Sequence, residues 1–111
     1  MIFKICSQDD WAAAEQAGLY AGTALDAQDG FIHFSSAGQV AGTLAKYYAG
    51  VDGLVLVAID EDGLDLKWEP ARDGQLFPHL YGTLALTHVR WVKALTRDAS
   101  GAFVLPADMG E

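Results

Sequence analysis

The sequence predicts an α+β domain built on a mixed, mostly antiparallel and split β-sheet, with two helices in its N-terminal half. Three observations carry this prediction. Strand-like and helix-like segments alternate early in the chain, strand-like segments separated by tight turns fill the later part, and residues 53–60 form the continuous apolar run "GLVLVAID". Early crossovers with late hairpins are typical of α+β domains. The 111 residues are enough for one domain, residues 1–111, with one core.

The N-terminal elements are a strand and a helix. Residues 2–6 alternate weakly and predict a strand. Ser7 stands three residues before Asp10, which is typical of a capped helix start. The alanine-rich segment "DDWAAAEQAG" continues as a helix that Gly18 ends. Residues 20–29 carry turn signals and predict a loop.

The segment "DGFIHFSSAGQV" predicts a second strand followed by a second helix. Residues 31–35 form the strand, and Ser36 with Gln39 three residues later predicts a capping box. The apolar stripe of the helix consists of Val40, Leu44, Tyr47 and Tyr48.

The later part of the chain predicts further strands. The run "GLVLVAID" is expected to be central and covered on both faces. The turn "EDG" leads into "LDLKWE", which is expected to be its hairpin partner. Residues 70–82 contain two prolines and two glycines and predict a loop of a length that favours a functional role. Residues 87–95 and 103–106 predict the last strands.

Charge and composition narrow the function classes. The net charge of −8 and the scattered positions of only seven Lys and Arg argue against binding a long nucleic acid. The single Cys6, in an apolar run, excludes an internal disulfide and is predicted to be a small buried residue. No segment reads as a signal peptide or a membrane span, so a soluble cytoplasmic protein without a membrane partner is expected. The oligomeric state stays open.

His33 is the first candidate site residue. Because side chains alternate along a strand, Phe31, His33 and Ser35 are predicted to share one face. The helix start that follows would place them near unpaired backbone N–H groups, which suit an anion or a polarised ligand oxygen. The alternative is a core histidine satisfied by a backbone carbonyl.

The second candidate cluster lies in "WEPARDGQLFPHLYG". A stacking ring, a carboxylate, a guanidinium, an imidazole and a phenol are the usual parts of a polar small-molecule site. Here they are supplied by Trp68, Glu69, Arg72, His79 and Tyr81. The alternative is a buried Trp68, a solvated Glu69–Arg72 pair and a Tyr81 at a sheet edge. A shared pocket requires His33 to lie within about 15 Å of His79.

Other site chemistries have little support. The three histidines are 46 and 9 residues apart, without the close spacing of zinc ligands, so no metal site is predicted. Nucleophile-elbow, phosphate-loop and dinucleotide-binding motifs are also missing.

Several segments together resemble a known family. In chain order, "FKICSQDDW", "DGFIHFSSAGQV", "GLVLVAID", "LKWEP" and "FPHLYG" resemble the small bacterial proteins grouped as domain of unknown function 952. The resemblance covers about residues 2–95 and leaves out the C-terminal strand and tail, residues 96–111. It implies a distant similarity to the ADP-ribosyltransferase-like fold, a split mixed sheet that holds NAD in many members.

The resemblance also implies site roles. In that fold a His-x-Ser or His-x-Thr strand motif grips the ribose next to nicotinamide, and residues 33–35 match it as His-Phe-Ser. An aromatic ring usually stacks on the nicotinamide, for which Tyr47, Tyr48 and Tyr81 are candidates. A glutamate usually stabilises the cationic sugar. Glu69 is the candidate, although it comes earlier in the strand order than the glutamate of that fold.

Two function hypotheses follow. The first is an enzyme, or former enzyme, with a polar pocket for a nucleotide-like or phosphorylated small molecule such as NAD or ADP-ribose. Its catalytic residues would be His33, Glu69 and His79, and its ligand-binding residues would be Ser35, Trp68, Arg72 and Tyr81. The second is a non-catalytic metabolite-binding or protein-interaction module. In a third and plainer alternative, both clusters only satisfy polar groups of the core.

Overall fold

The protein folds into short strands and helices that alternate along the chain. The computed structural model describes residues 1–71, 73–107 and 109, so Arg72 lies outside the described residues. In chain order the helices and strands are β1 (Ile2–Ser7), α1 (Gln8–Ala17), β2 (Leu19–Tyr20), α2 (Ala24–Asp29), β3 (Ile32–His33), β4 (Ser35–Ser36), α3 (Val40–Tyr47), β5 (Leu54–Ile59), β6 (Leu66–Pro70), β7 (Leu76–Leu80), β8 (Leu84–Ala85), β9 (Val89–Ala94), β10 (Thr96–Arg97) and β11 (Phe103–Val104). Short 3₁₀ turns at Ala37–Gln39 and Leu86–His88 precede α3 and β9.

The main sheet has four strands in the order β4-β1-β5-β9. Strand β5 pairs with β1 on one side and β9 on the other, and all six of its residues are buried. The prediction of a central strand covered on both faces is therefore confirmed. The predicted hairpin between this strand and residues 64–69 is wrong, because the turn at residues 60–63 leads out of the main sheet into a different one.

The second sheet has three strands in the order β3-β7-β6. A single residue, Phe34, separates β3 in this sheet from β4 in the main sheet. Two further sheets, β2-β8 and β10-β11, have two strands each. Every strand pair in the described part of the chain is antiparallel, so the α+β class is right but the parallel component of the predicted mixed sheet is not found.

Two apolar clusters cover the two faces of the main sheet. Because side chains alternate along β1, Ile2 and Cys6 face a cluster that includes Trp11 of α1 and Ile32 of the second sheet. Phe3 and Ile5 face the opposite cluster, which is closed by Val40 and Leu44 of α3 and by partly buried residues of the C-terminal segment. The second sheet is thereby fixed against one face of the main sheet.

Helix α1 starts and ends where the sequence predicts. The Ser7 hydroxyl accepts a hydrogen bond from the Asp10 N–H at 3.0 Å, and Gly18 follows the helix with a φ of +83°. The start of the α3 segment is also confirmed, since the Ser36 N–H donates to Gln39 Oε1 at 3.0 Å. None of the helices in the described part of the chain is long and apolar enough to cross a bilayer.

Two predicted loops are wrong. Residues 20–29 include α2, so the described residues hold three α-helices rather than two; Thr23 caps α2, and its N–H donates to Asp26 Oδ2 at 2.8 Å. Residues 70–82 include strand β7, although Pro78 lies in its middle. The Pro78 carbonyl accepts a hydrogen bond from the Phe34 N–H, so this residue directs its backbone polar groups to the end of β3. The proline is tolerated because its nitrogen, which carries no hydrogen, does not face the ladder with β6.

Candidate functional site

The pairing of β3 with β7 brings two histidines together. His33 lies directly opposite His79 in the register, and the centroids of the two rings are 5.3 Å apart. The prediction that His33 and His79 lie within one ligand's reach is therefore confirmed. The rings meet edge to face, at 69° between their planes.

Phe31 joins the histidines into one aromatic group. Its ring is stacked on His79, with centroids 4.1 Å apart and 27° between the planes. Its centroid is also 4.6 Å from that of His33 and 5.1 Å from that of Tyr81. We call Phe31, His33, Glu69, His79 and Tyr81 the two-histidine cluster. Since aromatic contacts of this kind fix ring orientations, the cluster presents a defined surface.

Glu69 holds one histidine and one phenol. His79 Nδ1 lies 2.8 Å from Glu69 Oε1, and the Tyr81 hydroxyl donates to the same oxygen at 2.7 Å. These two hydrogen bonds lower the pKa of Glu69 below its ordinary value, the bond from His79 having the larger effect. The bond to Glu69 raises the pKa of Tyr81, because ionisation would remove the donated hydrogen. Glu69 is therefore a carboxylate at neutral pH, and Tyr81 is a neutral donor.

Two aspartates of α2 flank the other histidine. His33 Nδ1 lies 2.5 Å from Asp26 Oδ1, and His33 Nε2 lies 3.0 Å from Asp29 Oδ2. The His33 backbone N–H also donates to Asp26 Oδ1 at 3.1 Å. The ring is thus held by carboxylates, and not by the backbone carbonyl of the plain core alternative.

Asp26 is buried with a lysine as its counter-ion. Lys4 Nζ donates to Asp26 Oδ2 at 2.7 Å and to the His33 carbonyl at 2.9 Å, and both charged residues are almost fully buried. Burial raises the pKa of Asp26, but the hydrogen bond to His33 and the charge of Lys4 outweigh it and the net shift is downward. Burial lowers the pKa of Lys4 despite the attraction of Asp26.

Asp26, Asp29 and Lys4 were not predicted as site residues. Two signals for them exist in the sequence. Lys4 is a charge at an inward-facing position of an apolar strand, which demands a buried partner. Asp26 stands three residues after Thr23, in the spacing of a capping box. Neither signal shows that the lysine and the aspartate meet each other beneath a histidine.

Two of the other predicted site residues, Ser35 and Trp68, lie apart from the cluster. Ser35 belongs to the main sheet, where it pairs with Phe3, and its hydroxyl is 3.3 Å from that of Thr43. It leaves the face of His33 because the chain changes sheets at Phe34. Trp68 is 46% exposed, and alternation along β6 turns it to the opposite face of the second sheet from Glu69. Of the seven predicted site residues, the structure thus brings together His33, Glu69, His79 and Tyr81.

The two-histidine cluster is an open surface site. Cavities of about 410 and 380 Å³ lie elsewhere, one beside Val104–Ala107 and one between α3 and the β10–β11 hairpin. Neither cavity is lined by a residue of the cluster, so the expectation of a pocket beside His33 is not supported by these two cavities. His33 is nevertheless one-third exposed and Tyr81 about half exposed, which leaves these two rings accessible to a ligand, whereas His79 is buried.

The described residues hold no group of side chains suited to metal binding or to thiol catalysis. No group of three or more His, Cys, Asp and Glu side chains among residues 1–71, 73–107 and 109 is placed to hold a metal ion. Cys6 is buried, as predicted, and burial raises the pKa of its thiol to about 11. A thiol in that state is protonated at neutral pH and is a poor nucleophile.

The fold is that of a small α+β protein, and its three-stranded sheet carries a histidine pair held by carboxylates. The family model described as "Protein of unknown function (DUF952)" matches residues 5–92. The chain therefore belongs to this family, and the predicted resemblance to it is confirmed. No curated protein matches the chain.

Solved structures of one bacterial protein are similar over almost the full length. The crystal structure of protein CC0527 from Caulobacter crescentus is 43% identical and superimposes with a TM-score of 0.86, covering 94% of this chain and 93% of that one. A crystal structure of a double mutant of the same protein gives 43% identity and a TM-score of 0.85, with the same coverage. Its solution NMR structure gives 44% and 0.82, covering 91% and 89% of the two chains.

Proposed function

We propose that the two-histidine cluster binds a nucleotide-like small molecule, with NAD or ADP-ribose as the candidates, and cleaves or transfers at its ribose in the manner of ADP-ribosyltransferase-like enzymes. The observation that carries this proposal is the direct pairing of His33 with His79, each held by a carboxylate. Imidazoles held in this way are suited to orient a hydroxyl and to transfer a proton.

The charge of the cluster favours this chemistry. Glu69 and Asp29 are both partly exposed carboxylates beside the rings. Breaking the bond between ribose and nicotinamide passes through an oxocarbenium-like state, and a nearby carboxylate stabilises the developing positive charge. Glu69 is the carboxylate that we assign to this role, because its hydrogen bonds to His79 and Tyr81 keep it ionised and fixed.

The aromatic rings favour a flat ligand. Phe31 and Tyr81 lie next to the histidines, and Tyr81 is 52% exposed. Such rings contribute stacking surface for a base or for nicotinamide. Arg72 follows Glu69 by three residues in the sequence, and we assign it to a phosphate of the ligand.

The openness of the cluster favours a second candidate function, a non-catalytic metabolite-binding or protein-interaction module. Ligand sites of enzymes are mostly concave and exclude water, whereas Tyr81 is about half exposed and neither of the two cavities includes the cluster. In this candidate function Glu69 only orients His79 and Tyr81.

A thermal-shift screen tests both candidates. The purified protein is heated with NAD, ADP-ribose, nucleotides and phosphorylated sugars. A ligand present at about a hundred times its dissociation constant stabilises the fold by about 2.7 kcal/mol, which raises the melting temperature of a domain of this size by roughly 10 °C or more. Unchanged melting temperatures with all these compounds at millimolar concentration would argue against the enzyme and against a metabolite-binding module, and would leave only a protein-interaction module.

Glu69→Gln separates the enzyme from the binding module. The amide keeps the shape but removes the charge, so an enzyme should keep its thermal shift with NAD while nicotinamide release falls by roughly a hundredfold. Glu15→Gln, at an exposed position of α1, is the matched control and should change neither quantity. Equal release rates in wild type and Glu69→Gln would contradict the role of Glu69, and a ligand shift without any nicotinamide release would favour the binding module.

A further inference from the structure

Beneath His33 lies a buried charge pair that the proposed reaction does not use. Asp26 is 2% exposed and Lys4 is 4% exposed. Both oxygens of Asp26 and the ammonium of Lys4 are engaged. Neither group can touch a ligand directly, so any contribution to the site has to pass through His33.

We propose that Asp26 is a positioning residue of the site, which keeps a hydrogen on His33 Nδ1 and thereby makes His33 Nε2 the nitrogen that meets the ligand. Lys4 supports this arrangement, because its ammonium keeps Asp26 as a carboxylate. The inference rests on the proposed function for the identity of the ligand. The position of the hydrogen on His33 does not depend on a ligand.

The geometry at Nδ1 supports this assignment. An ionised carboxylate only accepts hydrogen bonds, and Oδ1 of Asp26 lies 2.5 Å from His33 Nδ1. The nitrogen at that distance has to be the donor. The identity of the nitrogen that carries the hydrogen in a neutral imidazole is set by such a partner.

The two oxygens of Asp26 have different partners. Oδ2 accepts from the Thr23 N–H and from Lys4, which is enough to cap α2 and to pair the buried charge. Oδ1 accepts from the backbone N–H and from the ring of His33. An aspartate that only capped α2 and paired with Lys4 would not need the two hydrogen bonds at Oδ1. We therefore assign Asp26 a part in the site.

Lys4 ties His33 to the main sheet through two bonds. Its ammonium donates to Asp26 and to the carbonyl of His33, so the backbone and the ring of that histidine are fixed from the same point on β1. Among residues 1–71, 73–107 and 109, the other charged and titratable groups near the ring are Asp29, which faces Nε2, and His79, with Glu69 behind it. Asp29 is 39% exposed in its side chain, so a polar group of a ligand that reaches Nε2 would take its place.

Long-range ¹H–¹⁵N correlation spectra of the labelled protein test the proposal. The three histidines are assigned with His79→Gln and His88→Gln. In the wild type, we expect Nδ1 of His33 to carry hydrogen at every pH at which the protein is folded, so that only Nε2 changes its protonation. A neutral His33 ring with its hydrogen on Nε2 alone would overturn the proposal.

Two variants test whether Asp26 determines which nitrogen of His33 carries the hydrogen. Lys4→Met combined with Asp26→Leu removes both buried charges at similar volume, and the hydrogen of His33 should then shift to Nε2 in a measurable fraction of molecules. Asp29→Asn is the matched control on the same helix and should keep the wild-type Nδ1 signal. Wild-type ring shifts in the double variant would contradict the role of Asp26. If the double variant does not fold, the wild-type and Asp29→Asn spectra still decide, and a failed NAD screen leaves their outcome unchanged.

Discussion

At the scale of single residues, the polar groups of α2 and β3 meet at one buried lysine. Lys4 occupies an inward-facing position of β1, between Phe3 and Ile5. Its ammonium donates to the Asp26 carboxylate and to the His33 carbonyl. A buried ion pair of this kind gives little net stability, but loss of one partner leaves an uncompensated charge. The pair therefore acts as a constraint on where α2 and β3 meet β1.

Acid stability provides a test at the same scale. The folded-state pKa of Asp26 is lowered, so its contribution is full above the unfolded pKa of about 3.9 and is lost as the pH falls below that value towards the folded-state pKa. Wild type should lose more unfolding free energy between pH 7 and pH 3 than the double variant Lys4→Met with Asp26→Leu, in urea titrations at both pH values. The lowered pKa values of Glu69, Asp60 and Asp98 act in both proteins and cancel.

Single removal of one partner is the control for this comparison. At pH 7, Asp26→Asn should cost about 3–5 kcal/mol, because Lys4 remains buried without a counter-charge. The double variant should cost less than the sum of Asp26→Asn and Lys4→Met measured separately. Additive costs would show that Lys4 and Asp26 do not act as a pair.

At the scale of elements, the sequence predicts strongly patterned segments and fails on short ones. Helix α1 has a capping serine, an alanine-rich body and a terminal glycine, and all three signals agree. Helix α2 is only six residues long, and its capping aspartate reads equally well as a turn residue. Strand β7 contains Pro78, which normally argues against a central strand.

The sequence likewise predicts only part of the candidate site. His33 and His79 stand out as polar residues in apolar segments, and the sequence suggests that they meet. The register that pairs them is a property of β3 against β7, which forms between residues far apart in the chain. The displacement of Ser35 into another sheet depends on the bend at Phe34, for which no local signal exists.

Gly22 is the element-scale position where the backbone matters most for the site. It has a φ of +102°, and a Cβ there would lie 2.7 Å from the Cβ of Asp26. Gly18 has a φ of +83° with open space around it, and is therefore the matched control. Gly18→Ala should cost about 1–2 kcal/mol for the left-handed backbone alone.

Gly22→Ala should cost at least about 1 kcal/mol more than Gly18→Ala, because the added methyl group also displaces Asp26. Chemical denaturation of both variants measures the difference. The ring signals of His33 should move in Gly22→Ala and stay unchanged in Gly18→Ala. Equal costs would show that the loop before α2 relaxes without disturbing Asp26.

At the scale of the whole molecule, the four sheets formed by the described residues differ in size, which implies unequal local stability. Strand β5 is buried along its full length between β1 and β9, whereas the β2-β8 and β10-β11 sheets have only two residue pairs each. Isolated two-stranded pairings are marginal in water, and opening free energies differ between the parts of one fold. The similarity to protein CC0527 extends this architecture to at least one protein of a bacterium.

Hydrogen exchange followed by NMR checks this order. The amides of β5 should exchange most slowly, at the rate of global unfolding, and those of β10 and β11 should exchange at least about tenfold faster. The amides that join β3 to β7 should follow β5 and not the small sheets, since Ile32 and Leu80 belong to the same core cluster as Val57. Fast exchange of the Phe34 amide, which donates to the Pro78 carbonyl of β7, would contradict this grouping.

The single-residue junction at Phe34 has a consequence for directed evolution. Because His33 and Ser35 belong to different sheets but are joined through one buried residue, we expect a change of packing in the main sheet to displace the rings. Selection for a new ligand preference should therefore enrich substitutions at distant positions such as Phe3, the cross-strand partner of Ser35. Mutational libraries confined to the visible surface around the histidines would miss them.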